Sequence, residues 1–342
     1  MAYEYTFAIL LILIFMGLGL AFSIGANDET LSSLVGTGIL KLRVSLIVGG
    51  AAVGFGMIMF SHGVGKTVGA DILGPGIKYT LFMLFAVLIS SILWLIIGSF
   101  AGVPLSSTHS TVGSIFGVII VYSLIIGGVN TETALNWDKL GRVVLSWFLS
   151  PLFGLLVTYI LFKVIARLYL SKLKGLNEIE RSERSFAYLL LIAVIFAEIW
   201  VGANSAECIG IFYGMLDNNS LNLEQYYFFV ILCGVFAFIG IYFAGRFVIK
   251  NLASQMTDAR PSEGFIIQIS SALILMICTF LALPISHSHV IVFCIIGMNI
   301  AQKKDVDYKD IGKMTVFWVL TFPIAALIAG FIYFGFCMYG FI

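Results

Sequence analysis

Long apolar segments follow one another along the whole chain and are separated by short polar connections. They run at 6–24, 44–60, 79–101, 111–127, 143–166, 186–201, 226–249, 265–283, 289–300 and 314–342. A helix that spans a membrane needs about 20 apolar residues, whereas a strand of a membrane barrel alternates over about 10 residues. With the shorter stretches at 31–40 and 206–216, the pattern predicts an all-α polytopic membrane protein with about 10–12 membrane segments.

The composition agrees with this fold class and excludes others. Of the 342 residues, 60% are hydrophobic and only 11% are charged, against about 25% charged residues in soluble proteins. The formal net charge of +1 excludes a nucleic-acid-binding protein, which needs a basic face. We therefore expect a multi-pass protein of the cell membrane that is surrounded by the lipid bilayer.

Two halves of the chain resemble each other on either side of one long polar connection. Three pairs of segments match in the same order: 25–28 with 202–205, 104–109 with 284–289, and 136–142 with 307–313. The first pair reads Gly-Ala-Asn-Asp and Gly-Ala-Asn-Ser, and the second reads Pro-Leu-Ser-Ser-Thr-His and Pro-Ile-Ser-His-Ser-His. Many transporters are built by internal duplication. We therefore predict a first repeat at 1–162, a cytoplasmic linker at 163–185 and a second repeat at 186–342.

The charges of the connections indicate that the two repeats are inverted. Basic residues mark the cytoplasmic connections of membrane proteins, and the linker at 163–185 contains six of them. The lysine-rich stretch 301–313 corresponds to 127–138 in the first half, which has no basic residue. Matching segments thus carry opposite charge biases, although two lysines at 62–78 depart from the pattern. The same rule places the N- and C-termini outside the cell.

Each Gly-Ala-Asn motif interrupts an apolar run, which predicts a helix that is broken within the membrane. Backbone groups freed by such a break must face protein or a wet cavity. Asp28 is the most informative residue here, since a charge near the middle of the membrane costs at least about 2.5–3.5 kcal/mol on insertion scales. A carboxylate kept at that depth is expected to bind a cation or a proton. Glu29, Glu198 and Glu207 lie near the same breaks, and the sequence leaves their roles open.

The proline motifs are typical of helices that begin within the membrane. Proline fits the first turn of a helix, and hydroxyl groups satisfy the free N–H groups there. The N–H groups and the helix dipole at such a start attract an anion, and two starts would meet near the pseudo-two-fold axis. His109 and His289 occupy equivalent positions and are expected to be buried, neutral and hydrogen-bonded. His287 replaces a hydroxyl residue and can donate to an anion.

The two motifs, each present twice, resemble those of the inorganic phosphate transporter (PiT) family of cation-coupled symporters. The resemblance covers almost the whole chain and includes the Gly-Phe-Ile-Ile-Gln run at 264–268. It implies inverted repeats with broken helices, and phosphate at their meeting point with sodium or protons nearby. The family positions carried over are Asn27, Asp28, Ser106, Ser107, Thr108, Asn204, Ser286 and Ser288. The chain departs from the family pattern at Leu31, Ser205 and Cys208, where the family has Asn, Asp and Asn.

We therefore expect a secondary active transporter, not an enzyme, that moves inorganic phosphate with sodium ions and needs no cofactor. The anion is expected at Ser106, Ser107, Thr108, Ser286, His287, Ser288, Asn27 and Asn204, and sodium at Asp28, Asn27 and Asn204. A permease for sulfate or another oxyanion, proton-coupled phosphate transport and a channel stay open as alternatives, as does a homodimer. A membrane-embedded metal enzyme is disfavoured, because the sequence has no His-Glu-x-x-His pattern or comparable ligand spacing.

Overall fold

The chain is almost entirely helical in the computed structural model, which describes residues 2–28, 30–100, 106–125, 130–205, 207–255, 260–306 and 308–339. Within these ranges no strand forms, apart from one antiparallel bridge between Leu73 and Leu135. The α-helices are α1 Ala2–Ala26, α2 Ser32–Gly36, α3 Leu42–Phe60, α4 His62–Lys66, α5 Leu81–Phe100, α6 Ser107–Ile125, α7 Thr131–Ala134, α8 Trp137–Leu168, α9 Leu176–Asn204, α10 Glu207–Asp217, α11 Leu223–Gly240, α12 Arg246–Gln255, α13 Pro261–Phe280, α14 His287–Gln302 and α15 Tyr308–Met338. π-Helical turns follow α4 at Thr67–Asp71 and α11 at Ile241–Gly245, and a 3₁₀ turn lies at Leu170–Lys172.

The helices have the length and apolar character that a membrane requires. Among the residues that the structure describes, eight helical stretches satisfy both criteria, and two shorter apolar helices lie at Leu81–Ile97 and His287–Gln302. Each of them overlaps one of the ten predicted apolar segments, while the two extra stretches contribute the short helices α2 and α10. Large apolar side chains such as Phe15 and Phe331 are exposed, as expected for a surface that faces lipid. The all-α polytopic fold class is thus confirmed.

Most of the polar connection between the halves, predicted as a linker at 163–185, is α-helical. α8 continues to Leu168 and α9 begins at Leu176, so only 169–175 lie outside the α-helices. Arg184 and Glu180 are exposed on one face of α9, 3.9 Å apart between nitrogen and oxygen, a spacing that supports a solvated helix end. The helices therefore extend beyond the apolar segments, and the division of the chain at 163–185 stays a prediction.

The two halves contact each other in matching ways. α6 packs against α15 and α14 against α8, while α3 packs against α9 and α11 against α1. Each of these pairs joins a helix of one half to a helix of the other. Each half also contributes five of the ten apolar helices described above. Because five is odd, a chain that crosses the membrane with each of them begins its second half on the opposite side, which is the inverted arrangement.

Glycine allows these helices to approach each other closely at equivalent positions. Gly117 and Gly297 lie at the same distance from the starts of α6 and α14. A Cβ atom added to Gly117 would lie 1.9 Å from the carbonyl oxygen of Ala326 in α15, and one added to Gly297 would lie 2.3 Å from that of Leu155 in α8. Small residues at helix interfaces are how membrane helices bring their backbones together. The duplication is therefore visible in the packing as well as in the motifs.

Candidate functional site

Both Gly-Ala-Asn motifs lie at helix interruptions, as predicted. α1 ends at Ala26 and helical structure resumes at Ser32, while α9 ends at Asn204 and α10 begins at Glu207. Glu29, whose role the sequence left open, lies outside the described residues. The breaks free polar groups at the ends of α1 and α9, on the inner side of the helix bundle.

The two proline motifs lead directly into helices, also as predicted. α6 begins at Ser107 and α14 at His287, whereas Pro104 and Leu105 lie outside the described residues. Ser106 caps α6, since its Oγ accepts a hydrogen bond from the N–H of His109 at 3.2 Å. This cap satisfies one of the free donors of the first turn. The remaining N–H groups of the turn are left for a ligand or for neighbouring groups.

Side chains from both halves line one cavity of about 290 Å³ between these helix ends. Its described polar lining consists of Ser23, Asn27, Asp28, Ser106, Ser107, Thr108, Ser205, Ser286, His287 and Ser288. The structure therefore brings together every predicted anion ligand except Asn204. No lysine or arginine is among the lining residues that the structure describes. The cavity thus offers an anion hydroxyl, amide and imidazole groups and the positive ends of two helices.

Asp28 is buried beside a second carboxylate. Its Oδ1 accepts a hydrogen bond from the N–H of Thr30 at 2.9 Å, while its Oδ2 has no partner among the described atoms. Glu198 of α9 interacts with Asp28 and is fully buried, and both of its oxygens lack a partner in the described part of the chain. Three of the four oxygens of this pair therefore accept no hydrogen bond from the described residues, and such oxygen-rich surroundings are what a hard cation prefers.

No larger cluster of charged ligands accompanies this pair. Within the described ranges, no group of three or more His, Cys, Asp or Glu side chains is arranged to hold a metal ion. A sodium site at Asp28 therefore depends on amide and carbonyl oxygens in addition to the carboxylates. Asn27, the residue immediately before Asp28, is exposed to the cavity and has such an oxygen.

Asn204 lies behind the cavity wall, where its amide holds the second break in place. Its Oδ1 accepts a hydrogen bond from the N–H of Ile285 at 2.9 Å. Its Nδ2 donates to the Oγ1 of Thr279 at 3.0 Å and to the carbonyl oxygen of Leu283 at 3.1 Å. In this conformation Asn204 ties the end of α9 to the connection between α13 and α14. Its role as a ligand of the anion or of sodium stays a prediction.

Glu207 reaches from the second half to the start of α6. It is the first residue of α10 and is 1% exposed. Its Oε1 accepts hydrogen bonds from the Oγ of Ser107 at 3.0 Å and from the Oγ1 of Thr108 at 2.5 Å. Its Oε2 has no partner among the described atoms. The sequence marked Glu207 as unusual, because it is a charged residue within an apolar stretch. Its contact with Ser107 and Thr108 could not be predicted, because that contact depends on how the two halves pack.

His109 and His289 lie together outside the polar cavity. Their ring centroids are 4.7 Å apart, and each ring packs on a tryptophan, His109 on Trp147 at 3.9 Å and His289 on Trp318 at 3.8 Å. Both histidines are buried, and they line a separate, apolar cavity of about 320 Å³. Both are thus buried as expected, but the expected hydrogen bonds are missing for both ring nitrogens of His109 and for the Nε2 of His289, which have no partner among the described atoms. His287, in contrast, lines the polar cavity.

The chain is similar to proteins of known classification over nearly its whole length. The sequence profile described as the Phosphate transporter family matches residues 24–329, a range that contains both pairs of motifs. A protein of Pyrococcus furiosus whose name describes a phosphate permease is 28% identical, with 95% of this chain and 95% of that protein covered. A protein of Rhizobium meliloti named as a low-affinity inorganic phosphate transporter is 26% identical, with 96% and 97% covered.

One solved structure shares the arrangement of the helices. It is named as the sodium-dependent phosphate transporter and superposes with a TM-score of 0.82, covering 97% of this chain and 99% of that chain. The sequences of the two are 21% identical. At this level of identity the likeness concerns the fold alone.

Proposed function

Because the chain belongs to the phosphate transporter family, we propose that it moves inorganic phosphate across the membrane as a symporter with sodium ions. The family consists of transporters and not of enzymes. One observation carries the proposal: hydroxyl groups of both halves meet in a single cavity beside the buried carboxylate of Asp28. Secondary transporters bind their substrate and coupling ion at the junction of two repeats, near broken helices.

Phosphate would be held by neutral donors from both helix starts. Ser286 and Ser288 supply hydroxyl groups at the start of α14, and His287 supplies a ring N–H. The start of α6 supplies the hydroxyl groups of Ser107 and Thr108 from the opposite side. A protonated phosphate oxygen can in turn donate to Asp28, which sulfate cannot do at neutral pH. The free Oδ2 of Asp28 therefore favours phosphate over sulfate.

Sodium would bind at Asp28 and Asn27, with Asn204 or a backbone carbonyl completing the site. Moving one negative charge into a cell against 100 mV costs about 2.3 kcal/mol, so uphill uptake of phosphate requires positive charges to enter with it. The described lining of the cavity has no lysine or arginine that would neutralise the anion. Glu198 adds a second carboxylate beside Asp28 and would strengthen the attraction for a cation.

The orientation follows from the charges of the connections. We place the basic stretch around the end of α8 and the start of α9 in the cytoplasm, and both termini outside. A cysteine introduced at Ser171, which lies in the 3₁₀ turn, would then react with a membrane-impermeant maleimide only after the cell is opened. Reaction in intact cells would reverse the orientation. A homodimer stays a prediction.

Uptake of radiolabelled phosphate into proteoliposomes tests the function. We expect uptake to rise with an inward sodium gradient and to fall to the leak rate when choline replaces sodium. Asp28→Asn removes the carboxylate and should abolish the stimulation by sodium, whereas the exposed Glu224→Gln removes a carboxylate at the surface and should behave as the wild type. Unlabelled arsenate should compete and sulfate should not. Phosphate uptake that ignores both sodium and the loss of Asp28 would refute the coupling.

A further inference from the structure

The carboxylate of a glutamate accepts hydrogen bonds from the two hydroxyl groups that the start of α6 presents to the cavity. Ser107 and Thr108 both donate to the Oε1 of Glu207, at 3.0 and 2.5 Å. Glu207 lies 100 residues further along the chain than Ser107, in the other half. A carboxylate oxygen at the first turn of a helix accepts hydrogen bonds and benefits from the helix dipole. Glu207 therefore fills the role that a phosphate oxygen would have at this place.

A charged Glu207 and a bound phosphate compete for the same donors. Each hydroxyl group has a single O–H to donate. Ser107 directs its O–H to Glu207, and the Oγ1 of Thr108 lies nearer to Glu207, at 2.5 Å, than to its second acceptor, the carbonyl oxygen of Ile285 at 3.3 Å. The two anions would also repel each other, and repulsion is strong where little water screens it. Asp28 adds a further carboxylate to the cavity, and no lysine or arginine appears in its described lining. Phosphate can enter this site easily only if Glu207 loses its charge.

A proton on Glu207 would remove both obstacles. Its Oε2 is buried and has no hydrogen-bond partner among the described atoms, so it is the oxygen available to a proton. A neutral carboxylic acid accepts more weakly than a carboxylate, because hydrogen bonds to ionised groups are about twice as strong as neutral ones. The hydroxyl groups would then be released, and the new O–H could itself donate to a phosphate oxygen.

We propose that Glu207 is a proton-binding residue of the phosphate site, and that each phosphate bound is accompanied by the uptake of one proton at its Oε2. The inference rests on the proposed function in that phosphate is the ligand. The proton comes from water on the side from which phosphate enters and returns to water when phosphate leaves. Only the O–H bond of Glu207 forms and breaks. The proton is carried in addition to sodium and has its own residue.

Other titratable groups lie on α10, on the elements that pack against it, and on α14 at the cavity. They are Asp28 after α1, His62 and Lys66 of α4, Asp71 of the first π-helical turn, His109 and Tyr122 of α6, Glu224, Tyr226, Tyr227 and Cys233 of α11, His287 of α14, and Cys208, Tyr213 and Asp217 of α10 itself. Of these only Asp28 and His287 line the cavity to which Ser107 and Thr108 also belong, while Lys66 and Asp71 pair at 3.5 Å and are partly exposed. All of them remain in a Glu207 variant, so a comparison with the wild type isolates Glu207.

Calorimetry measures the proposed proton directly. Phosphate is titrated into the purified full-length protein at saturating sodium, in two buffers of equal pH but different ionisation enthalpy, and the difference in heat gives the protons taken up. We expect wild type and the surface control Glu224→Gln to take up about one more proton per phosphate than Glu207→Gln. Glu207→Asp keeps a titratable group and should retain the uptake. For each unit rise in pH, the phosphate affinity of the wild type should therefore fall by about ten times the factor by which that of Glu207→Gln falls, because the neutral amide takes up no proton.

The possible outcomes separate this inference from the proposed function. Equal proton uptake in wild type and Glu207→Gln, with phosphate bound to both, overturns the role of Glu207 and leaves phosphate as the substrate. Wild-type protein that binds no phosphate refutes the proposed function itself. If Glu207→Gln does not fold, infrared difference spectra decide. Phosphate should produce the carbonyl band of a protonated carboxylic acid in wild type, at a position that shifts in Glu207→Asp, and the absence of the band or of its shift overturns the inference.

Discussion

The close approach of α6 and α15 at Gly117 leads to a prediction about stability. In Gly117→Ala the new methyl group would lie 1.9 Å from the carbonyl oxygen of Ala326, so the two backbones must separate by about 1 Å. Insertion of a methylene-sized group into a packed interior costs about 1–3 kcal/mol. Gly335→Ala on α15 is the matched control, since a Cβ there meets nothing within 4 Å and alanine favours the helix by about 0.5–1 kcal/mol.

Thermal unfolding of the purified variants in detergent checks this reasoning. On the scale of soluble domains, 1 kcal/mol corresponds to about 2–4 °C, so Gly117→Ala should melt several degrees below the wild type and Gly335→Ala at or above it. Gly297→Ala, at the equivalent place in α14, should be destabilised to a similar extent because the contact with Leu155 repeats the same geometry. A Gly117→Ala protein that melts as high as Gly335→Ala would show that the helices are not in backbone contact.

Three further changes test the site. Ser286→Ala combined with Ser288→Ala removes two donors of about 0.5–1.5 kcal/mol each, and equilibrium dialysis should show phosphate affinity lower by about tenfold; unchanged affinity would place the anion elsewhere. Asn204→Ala breaks three hydrogen bonds around the second helix break, and its thermal unfolding should show a loss of about 1–3 kcal/mol; a wild-type melting curve would contradict that anchoring role. His109→Phe keeps an aromatic ring against Trp147, so the Michaelis constant for uptake should stay within about twofold of wild type; a large rise would give His109 a part in binding, since each tenfold change is about 1.4 kcal/mol.

The helix breaks and starts were predictable because each depends on a few adjacent residues. Gly-Ala-Asn ends α1 and α9, and the Ser-containing proline motifs precede α6 and α14. The convergence of these elements was also predictable, since the duplication of the motifs implies a symmetry axis between them. Local chemistry and internal repetition are both readable from one sequence.

The partners of Asn204 and Glu207 were not predictable. Asn204 has the same place in its motif as Asn27, yet Asn204 is 1% exposed and fully engaged, whereas Asn27 faces the cavity. Glu207 meets Ser107 only because α10 and α6 come from different halves and pack at one particular depth. Such contacts depend on tertiary packing, which equivalent positions in two repeats need not share. The helical ends within 163–185 were missed for a related reason, because a polar stretch is compatible with either a loop or a solvated helix.

The exchange of packing partners between the halves also affects how the protein is made. α6 ends at Ile125, but its partner α15 begins only at Tyr308, about 180 residues later in synthesis. At about 5–20 residues per second, the ribosome needs roughly 10–40 s to produce that partner. During this time the face of α6 that contains Gly113 and Gly117 lies in the membrane without α15, the helix that covers it. The nascent first half must therefore persist as an open intermediate, and only the emergence of the last helix allows both halves to close.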